Sequence, residues 1–203
     1  MYLIKPPSLL KQLYPADLEW KRESTDTVYL TFDDGPHPIA TPFVLDELKK
    51  YHAKGTFFCI GKNVVERPDI YTRLLLEGHS AGNHTQTHLN GWKAGTAEYL
   101  DNIADAATHI DSKLFRPPYG KIKRKQANAI IGKGYRIIMW DVLSGDFDTG
   151  ISPEKCWENV ALHLTPGSIV VFHDSSKAWE RLHYALPRTL AFCKQHNWKM
   201  EAL

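Results

Sequence analysis

Short runs of β-branched and aromatic residues alternate along the chain with longer segments whose apolar positions recur every three or four residues, predicting strands and amphipathic helices in turn. Strands are expected over 28–32, 56–60, 79–83, 114–116, 135–140, 168–173 and 198–202, and helices over 41–52, 69–77, 97–112, 123–133, 153–162 and 179–196. Gly55, Gly78 and Gly134 fall where three of these helices should stop. Strand then helix, repeated without a long break, predicts an α/β fold of parallel strands with helices packed outside them. The uniform alternation predicts a single domain over 1–203, with 1–25 as a proline-containing lead-in. A barrel of about seven β/α units suits this pattern better than an open sheet, although periodicity alone does not separate the two. In a barrel, the site would sit at the carboxyl ends of the strands. Two connections, 84–95 and 141–152, are longer than simple turns require, and such loops disproportionately carry function.

Composition narrows the class without naming a chemistry. The 203 residues are 43% hydrophobic and 24% charged, with 25 Lys+Arg against 23 Asp+Glu, an ordinary balance for a soluble globular chain. A net charge of +2 excludes a strongly basic nucleic-acid binder, and no nucleic-acid partner is expected. No apolar stretch approaches the length of a membrane span. Residues 1–18 carry three prolines and no apolar run ending in a small-residue cleavage site, so no signal peptide is read. A cytoplasmic location is therefore expected, with an envelope or secreted one open if the chain is a trimmed piece. Cys59, Cys156 and Cys193 lie far apart in no Cys-x-x-Cys pair, which predicts buried thiols. Nothing in the pattern specifies an oligomeric state.

Chemistry-bearing residues gather at the ends of the expected strands. The first runs into Asp33-Asp34-Gly35-Pro36, two adjacent carboxylates that repel unless a cation or an arginine stabilises them; an acidic turn capping the next helix is the structural alternative. The third runs into His84-Thr85-Gln86-Thr87-His88. Two neutral imidazoles plus one carboxylate make the three-ligand set of an open catalytic zinc site, and surface or core histidines are the alternative. Beyond them come Arg116-Pro117-Pro118-Tyr119-Gly120, then Asp146-Phe147, then Val171-Phe172-His173-Asp174. Taken singly, Arg116 reads as a surface cation and His173 as a core histidine. Five such segments at the same end of successive strands are not expected of purely structural residues.

In this order, Thr-Phe-Asp-Asp-Gly, His-Thr-x-x-His, Arg-Pro-Pro-Tyr-Gly, the Asp-Phe turn and Val-x-Phe-His-Asp resemble the five motifs of the polysaccharide deacetylase family, the NodB homology domain of carbohydrate esterase family four. The resemblance implies a distorted (β/α)7 TIM-like barrel and metal-dependent removal of acetyl groups from an acetylated oligo- or polysaccharide. It implies Asp34, His84 and His88 as ligands of Zn2+, or of another divalent ion such as Co2+, Ni2+ or Mn2+. It further implies Asp33 as general base, Arg116 as the residue holding that base, His173 as general acid and Asp146 as the carboxylate that orients it. In these roles the Tyr119 backbone N–H would face the developing oxyanion, and Phe147 and Val171 would wall an acetyl-sized pocket. Thr85 is expected to stabilise its loop rather than react. The fourth motif departs from the family's usual Asp-x-x-Asp-Trp, because Leu143 stands at its first Asp and Phe147 at its Trp. Substrate contacts near this loop are therefore expected to differ.

The activity expected is N-deacetylation of N-acetylglucosamine-containing glycans, of chitin oligosaccharide or peptidoglycan type. An O-acetyl esterase acting on a xylan-like glycan, or a catalytically silent carbohydrate-binding member of the fold, is the alternative. The facial triad of a non-haem iron oxygenase shares the ligand types, but its usual jelly-roll frame conflicts with the helix-rich alternation. Ser144 and Ser168 lie in no Gly-x-Ser-x-Gly elbow, the Pro-Cys-x-x-Cys of nucleobase deaminases is absent, and neither a dinucleotide fingerprint nor a Walker loop is present. Among the tryptophans, Trp92 and Trp179 are candidates for sugar stacking, whereas Trp140 and Trp198 fall in strand patterns and read as core. The basic run 121–125 reads as the solvated start of a helix.

Overall fold

The computed structural model describes residues 2–15 and 17–203. In chain order the elements are α1 (Ser8–Lys11), β1 (Leu18–Glu19), β2 (Thr27–Asp33), α2 (Ala40–Lys50), β3 (Gly55–Cys59), α3 (Gly61–Glu66), α4 (Pro68–Leu76), β4 (Ser80–Asn83) and α5 (Thr96–Ala107). They continue with β5 (Leu114–Phe115), a 3-10 turn (Pro118–Gly120), α6 (Arg124–Gly132), β6 (Arg136–Ile138), β7 (Val142–Leu143), α7 (Pro153–Ala161), β8 (Ile169–His173), α8 (Trp179–Gln195) and β9 (Lys199–Met200). One parallel sheet runs in the order β1-β6-β5-β4-β3-β2-β8-β7, and β9 pairs with the start of β2. Among the described residues, no helix is long and apolar enough to cross a membrane.

The sheet curls into a partly open barrel because β1 and β7, its two ends, do not pair with each other among the described residues. The N-terminal segment crosses this seam: the Leu143 N–H donates to the Ile4 carbonyl at 2.8 Å, the Arg22 N–H donates to the Gly167 carbonyl at 2.9 Å, and Lys21 bridges Ser168. The lead-in expected over 1–25 thus contributes a strand and a seam, which its two-residue pairing could not announce as a period. Likewise β7 lies inside the segment expected as a loop, 141–152, and α3 follows β3 without a sequence warning. Helix α5 stops at Ala107 rather than at 112, since the Thr108 hydroxyl turns back onto the Asp105 carbonyl at 2.6 Å.

Central strands are buried on both faces, as parallel sheets under helices must be. Outward-facing Phe32 stacks between Phe57, with ring centroids 4.9 Å apart, and Phe172, at 6.1 Å, in the core beneath α2 and α8. The opposite parity faces the barrel interior, where Phe58, Leu114, Ile138 and Ile169 form a separate cluster. Following that inward parity along β2 and β8 gives Thr31 and Asp33, then Val171 and His173, and the register sets Thr31 beside Val171 and Asp33 beside His173. The pleat that packs the core therefore also aims the polar residues at the barrel's carboxyl end.

Candidate active site

The two adjacent carboxylates at the end of β2 enter different environments. Asp33, on the inward parity, is buried, and its Oδ1 accepts a hydrogen bond from Arg116 Nη1 at 2.7 Å. Arg116 is fully buried and held on every side: Nη1 also donates to Thr31 Oγ1 at 2.7 Å, Nε to the Ile138 carbonyl at 3.1 Å and Nη2 to the Met139 carbonyl at 2.9 Å. Its guanidinium lies over the Phe58 ring, 4.1 Å from the centroid. Burial by itself would raise the Asp33 pKa, but Arg116, with the His84 and His173 imidazoles nearby, outweighs it and holds the carboxyl below its ordinary value.

Asp34 turns the other way because its backbone is left-handed, at φ 80°. Its carbonyl accepts from the Asn63 side chain at 2.7 Å, and a Cβ on the following Gly35 would overlap the Asp174 carboxylate, which also accepts the Gly35 N–H at 3.1 Å. So set, Asp34 Oδ1 lies 3.2 Å from His88 Nε2 and 3.7 Å from His84 Nε2. His84 Nδ1 faces the Arg116 carbonyl at 2.8 Å, an oxygen that can only accept, so Nδ1 carries the hydrogen and Nε2 presents a lone pair. Burial drives the His84 pKa down to about 4 and lowers that of His88, keeping both rings neutral. Asp34 Oδ1 is buried and finds no hydrogen-bond partner among the described residues, although it touches both rings. Ligand atoms of Asp34, His84 and His88 all lie within 4.8 Å of one another. A buried, unpartnered carboxylate oxygen facing a lone pair suits a cation, and this donor set fits a divalent transition ion.

The loop carrying the histidines is under strain and is held against it. Thr85 and His88 are left-handed, at φ 65° and 57°, an uncommon conformation for residues with a Cβ and a costly one for a β-branched threonine. The Thr85 N–H donates to Asn83 Oδ1 at 2.8 Å, its Oγ1 accepts from the Leu89 N–H at 2.9 Å, and Asn102 Oδ1 accepts the Gln86 and Thr87 N–H groups at 3.0 and 3.2 Å. Thr85 is thus the loop stabiliser expected.

Across the cavity, both oxygens of the fully buried Asp146 engage His173: Oδ1 meets the ring Nδ1 and Oδ2 accepts the backbone N–H, each at 2.7 Å. Burial opposes a charged imidazole, yet Asp146 overrides it, and the His173 pKa rises to about 9. Phe147 packs edge-on to the His173 ring at 5.1 Å, and Val171 lies one inward position earlier on β8. Tyr119, left-handed at φ 60°, places its ring 4.5 Å from that of His88.

One cavity of about 430 Å3 joins Asp33, Asp34, His84, His88, Tyr119, Phe147, Val171 and His173. Arg116 and Asp146 stand behind it, so the residues given a catalytic, metal-binding or acetyl-pocket role from the sequence come to one place. Trp140, expected in the core, packs half-buried against the cluster around Phe115 and Ile137 and also lines the cavity. Trp179 packs instead on Phe43 and His183, away from the site, and Trp92 lies outside the cavity wall. Lys121 lines the cavity, whereas Arg124 opens α6. Asn63, Asn83, Asn102 and the buried Arg181, whose Nε donates to the Asp146 carbonyl at 2.7 Å, escaped the sequence reading because they hold backbone groups rather than carry chemistry of their own. Cys59, Cys156 and Cys193 are buried and unpaired, as expected.

Residues 21–138 match the polysaccharide deacetylase family. The chain belongs to this family. The matched span contains both aspartates, both histidines and Arg116, and ends before Asp146 and His173, which the geometry adds. This polysaccharide deacetylase family member is 36% identical over 154 residues to a peptidoglycan-N-acetylglucosamine deacetylase of Bacillus cereus, a match covering 73% of this chain and 56% of that one. It is 35% identical over 158 residues to a chitooligosaccharide deacetylase of Bradyrhizobium sp., covering 74% and 71%. The chain thus spans little more than half the length of the first of these relatives. A solved peptidoglycan N-acetylglucosamine deacetylase, in complex with 4-naphthalen-1-yl-N-oxidanyl-benzamide, superposes with a TM-score of 0.83 at 29% identity, covering 98% of this chain and 95% of that one. The distorted parallel barrel expected of the NodB homology fold is therefore the fold observed. The family is metal-dependent, and Asp34, His84 and His88 form a cluster able to hold an ion.

Proposed function

We propose that this chain hydrolyses the acetamide of N-acetylglucosamine residues in a glycan of peptidoglycan or chitin-oligosaccharide type. One observation carries the reading: adjacent carboxylates are divided between an arginine and a two-histidine cluster, with an imidazole held by a third carboxylate facing them across the cavity. Asp34, His84 and His88 would hold a divalent ion, zinc on the chemistry of the donors, whose contribution when bound is Lewis acidity toward the acetyl carbonyl and the attacking water.

The remaining work falls to the chain's own groups. With Oδ1 engaged by Arg116, Asp33 has Oδ2 left to take the proton from water, and Arg116 keeps the carboxylate ionised and aimed. As the carbonyl carbon becomes tetrahedral, the Tyr119 N–H is the backbone donor for the oxygen that gains charge. His173 delivers its Nε2 proton to the departing amine nitrogen, while Asp146 on Nδ1 holds the ring's orientation and charge. Leu143, Phe147 and Val171 give the acetyl methyl an apolar wall.

The test is acetate release from N-acetylated oligosaccharides and peptidoglycan fragments, with O-acetylated xylan alongside, using metal-stripped protein before and after zinc is added. Zinc-restored acetate from the N-acetylated set is the expected result. Release from xylan alone would make the chain an esterase, and silence with zinc demonstrably bound would overturn hydrolysis.

A further inference from the structure

Beside the strand ends, one contributor to the cavity wall comes from the N-terminal segment. Tyr2 lines the cavity next to Leu143 and Phe147, with its ring edge-on to Phe147 at a centroid distance of 5.0 Å. Phe147 in turn stands edge-on to His173, so the three rings form one continuous wall. The Tyr2 hydroxyl donates to Asp148 Oδ2 at 2.7 Å, and burial together with Asp148 pushes the phenol pKa well up, so it remains a donor. The segment behind it is tied to the same loop: the Ile4 carbonyl accepts the Leu143 N–H, and Lys5 Nζ lies 3.8 Å from Asp141 Oδ2. Gly145, left-handed at φ 78°, fits around the phenol, because a Cβ there would come within 3.2 Å of its oxygen.

We infer that Tyr2 is a specificity-determining residue that completes the acyl pocket behind Phe147 and restricts the site to acetyl. The inference rests on the deacetylase reading. The wall beyond the Phe147 ring is tyrosine from another part of the chain. An apolar pocket selects by volume, so a longer acyl chain would have to displace the Tyr2 ring from both Phe147 and Asp148.

The test compares the wild type, Tyr2→Phe and Tyr2→Ala for kcat/KM on N-acetyl, N-propionyl and N-butyryl glucosamine oligomers, and for the affinities of acetate and butyrate by calorimetry on the zinc-loaded proteins. Since one methylene in a shaped apolar pocket is worth roughly 10-fold or more, Tyr2→Ala is expected to raise the butyryl-to-acetyl ratio by about 10-fold, with Tyr2→Phe, which keeps the ring but loses its Asp148 anchor, between the two. An unchanged ratio in Tyr2→Ala, or a wild type that accepts butyryl as readily as acetyl, would overturn the assignment. If no variant hydrolyses any acyl group, the deacetylase reading fails separately. The carboxylate affinities then decide: a butyrate preference gained in Tyr2→Ala supports the wall, and an unchanged preference overturns it.

Discussion

Replacing Asp146 by Asn removes the charge that keeps the His173 imidazole protonated while leaving its volume almost unchanged. The wild-type pair raises the imidazole pKa from 6.5 to about 9 against the pull of burial, which at 1.36 kcal/mol per pH unit corresponds to about 3 kcal/mol in favour of imidazolium. Without the carboxylate, burial dominates and the pKa should fall to 6.5 or below. At pH 7.5 a group with a pKa of about 9 is almost fully protonated, whereas one near 6.5 is about one-tenth protonated, so kcat/KM should drop about 10-fold or more. The deficit should shrink as pH is lowered, because the alkaline limb of the pH–rate profile moves toward acid. Stability carries the same signature. A pKa raised on folding contributes stability that is fully present below the unfolded value of 6.5 and is lost as pH rises through about 9; the wild type should show this decline in urea denaturation, and the Asn variant should lose less stability across the same window. Histidine NMR on the metal-free proteins reads the pKa directly. Coincident His173 titration curves in the two proteins, or an alkaline limb that does not move, would refute the reasoning.

Further expectations concern the supports of the site. Arg116→Met leaves Asp33 buried without its partner and should cost about 3–5 kcal/mol by urea denaturation, and adding Asp33→Asn should recover part of that loss. Gly35→Ala drives a Cβ into the Asp174 carboxylate; a loss of about 1–3 kcal/mol with weakened zinc binding is expected, and wild-type values for both would contradict the packing. Asn83→Ala leaves the Thr85 N–H without its acceptor in a strained loop, and titration with a competing chelator should show zinc affinity reduced about 10-fold or more.

Much of the site was legible because its chemistry sits at strand ends, where the period-two pattern that marks a strand also says which residues point inward. Asp33 and His173 share that inward parity with Thr31 and Val171, and a parallel register makes them neighbours. The division of labour between Asp33 and Asp34 was harder to read from spacing alone, since it depends on a left-handed backbone at Asp34 and on an arginine distant in sequence. The seam was missed for a different reason. Strands β1 and β7 are two residues each, too short for any periodicity, and the gap between them is crossed by an N-terminal segment whose partners lie more than a hundred residues away. Trp140 read as core because its run is apolar, and it does pack on a core cluster, but its half-buried ring also reaches the cavity. Asn63, Asn83 and Asn102 act by accepting or donating to backbone groups, a role that any polar surface position could have had in the linear sequence.

The most direct test of the division between the two adjacent carboxylates measures zinc content and acetate release side by side for Asp33→Asn and Asp34→Asn. Asp33→Asn should retain zinc at wild-type stoichiometry while acetate release falls by roughly 100-fold or more, and Asp34→Asn should lose the metal and the activity together. Acetate released at the wild-type rate by Asp33→Asn, or full zinc occupancy in Asp34→Asn, would contradict the assignment of base and ligand.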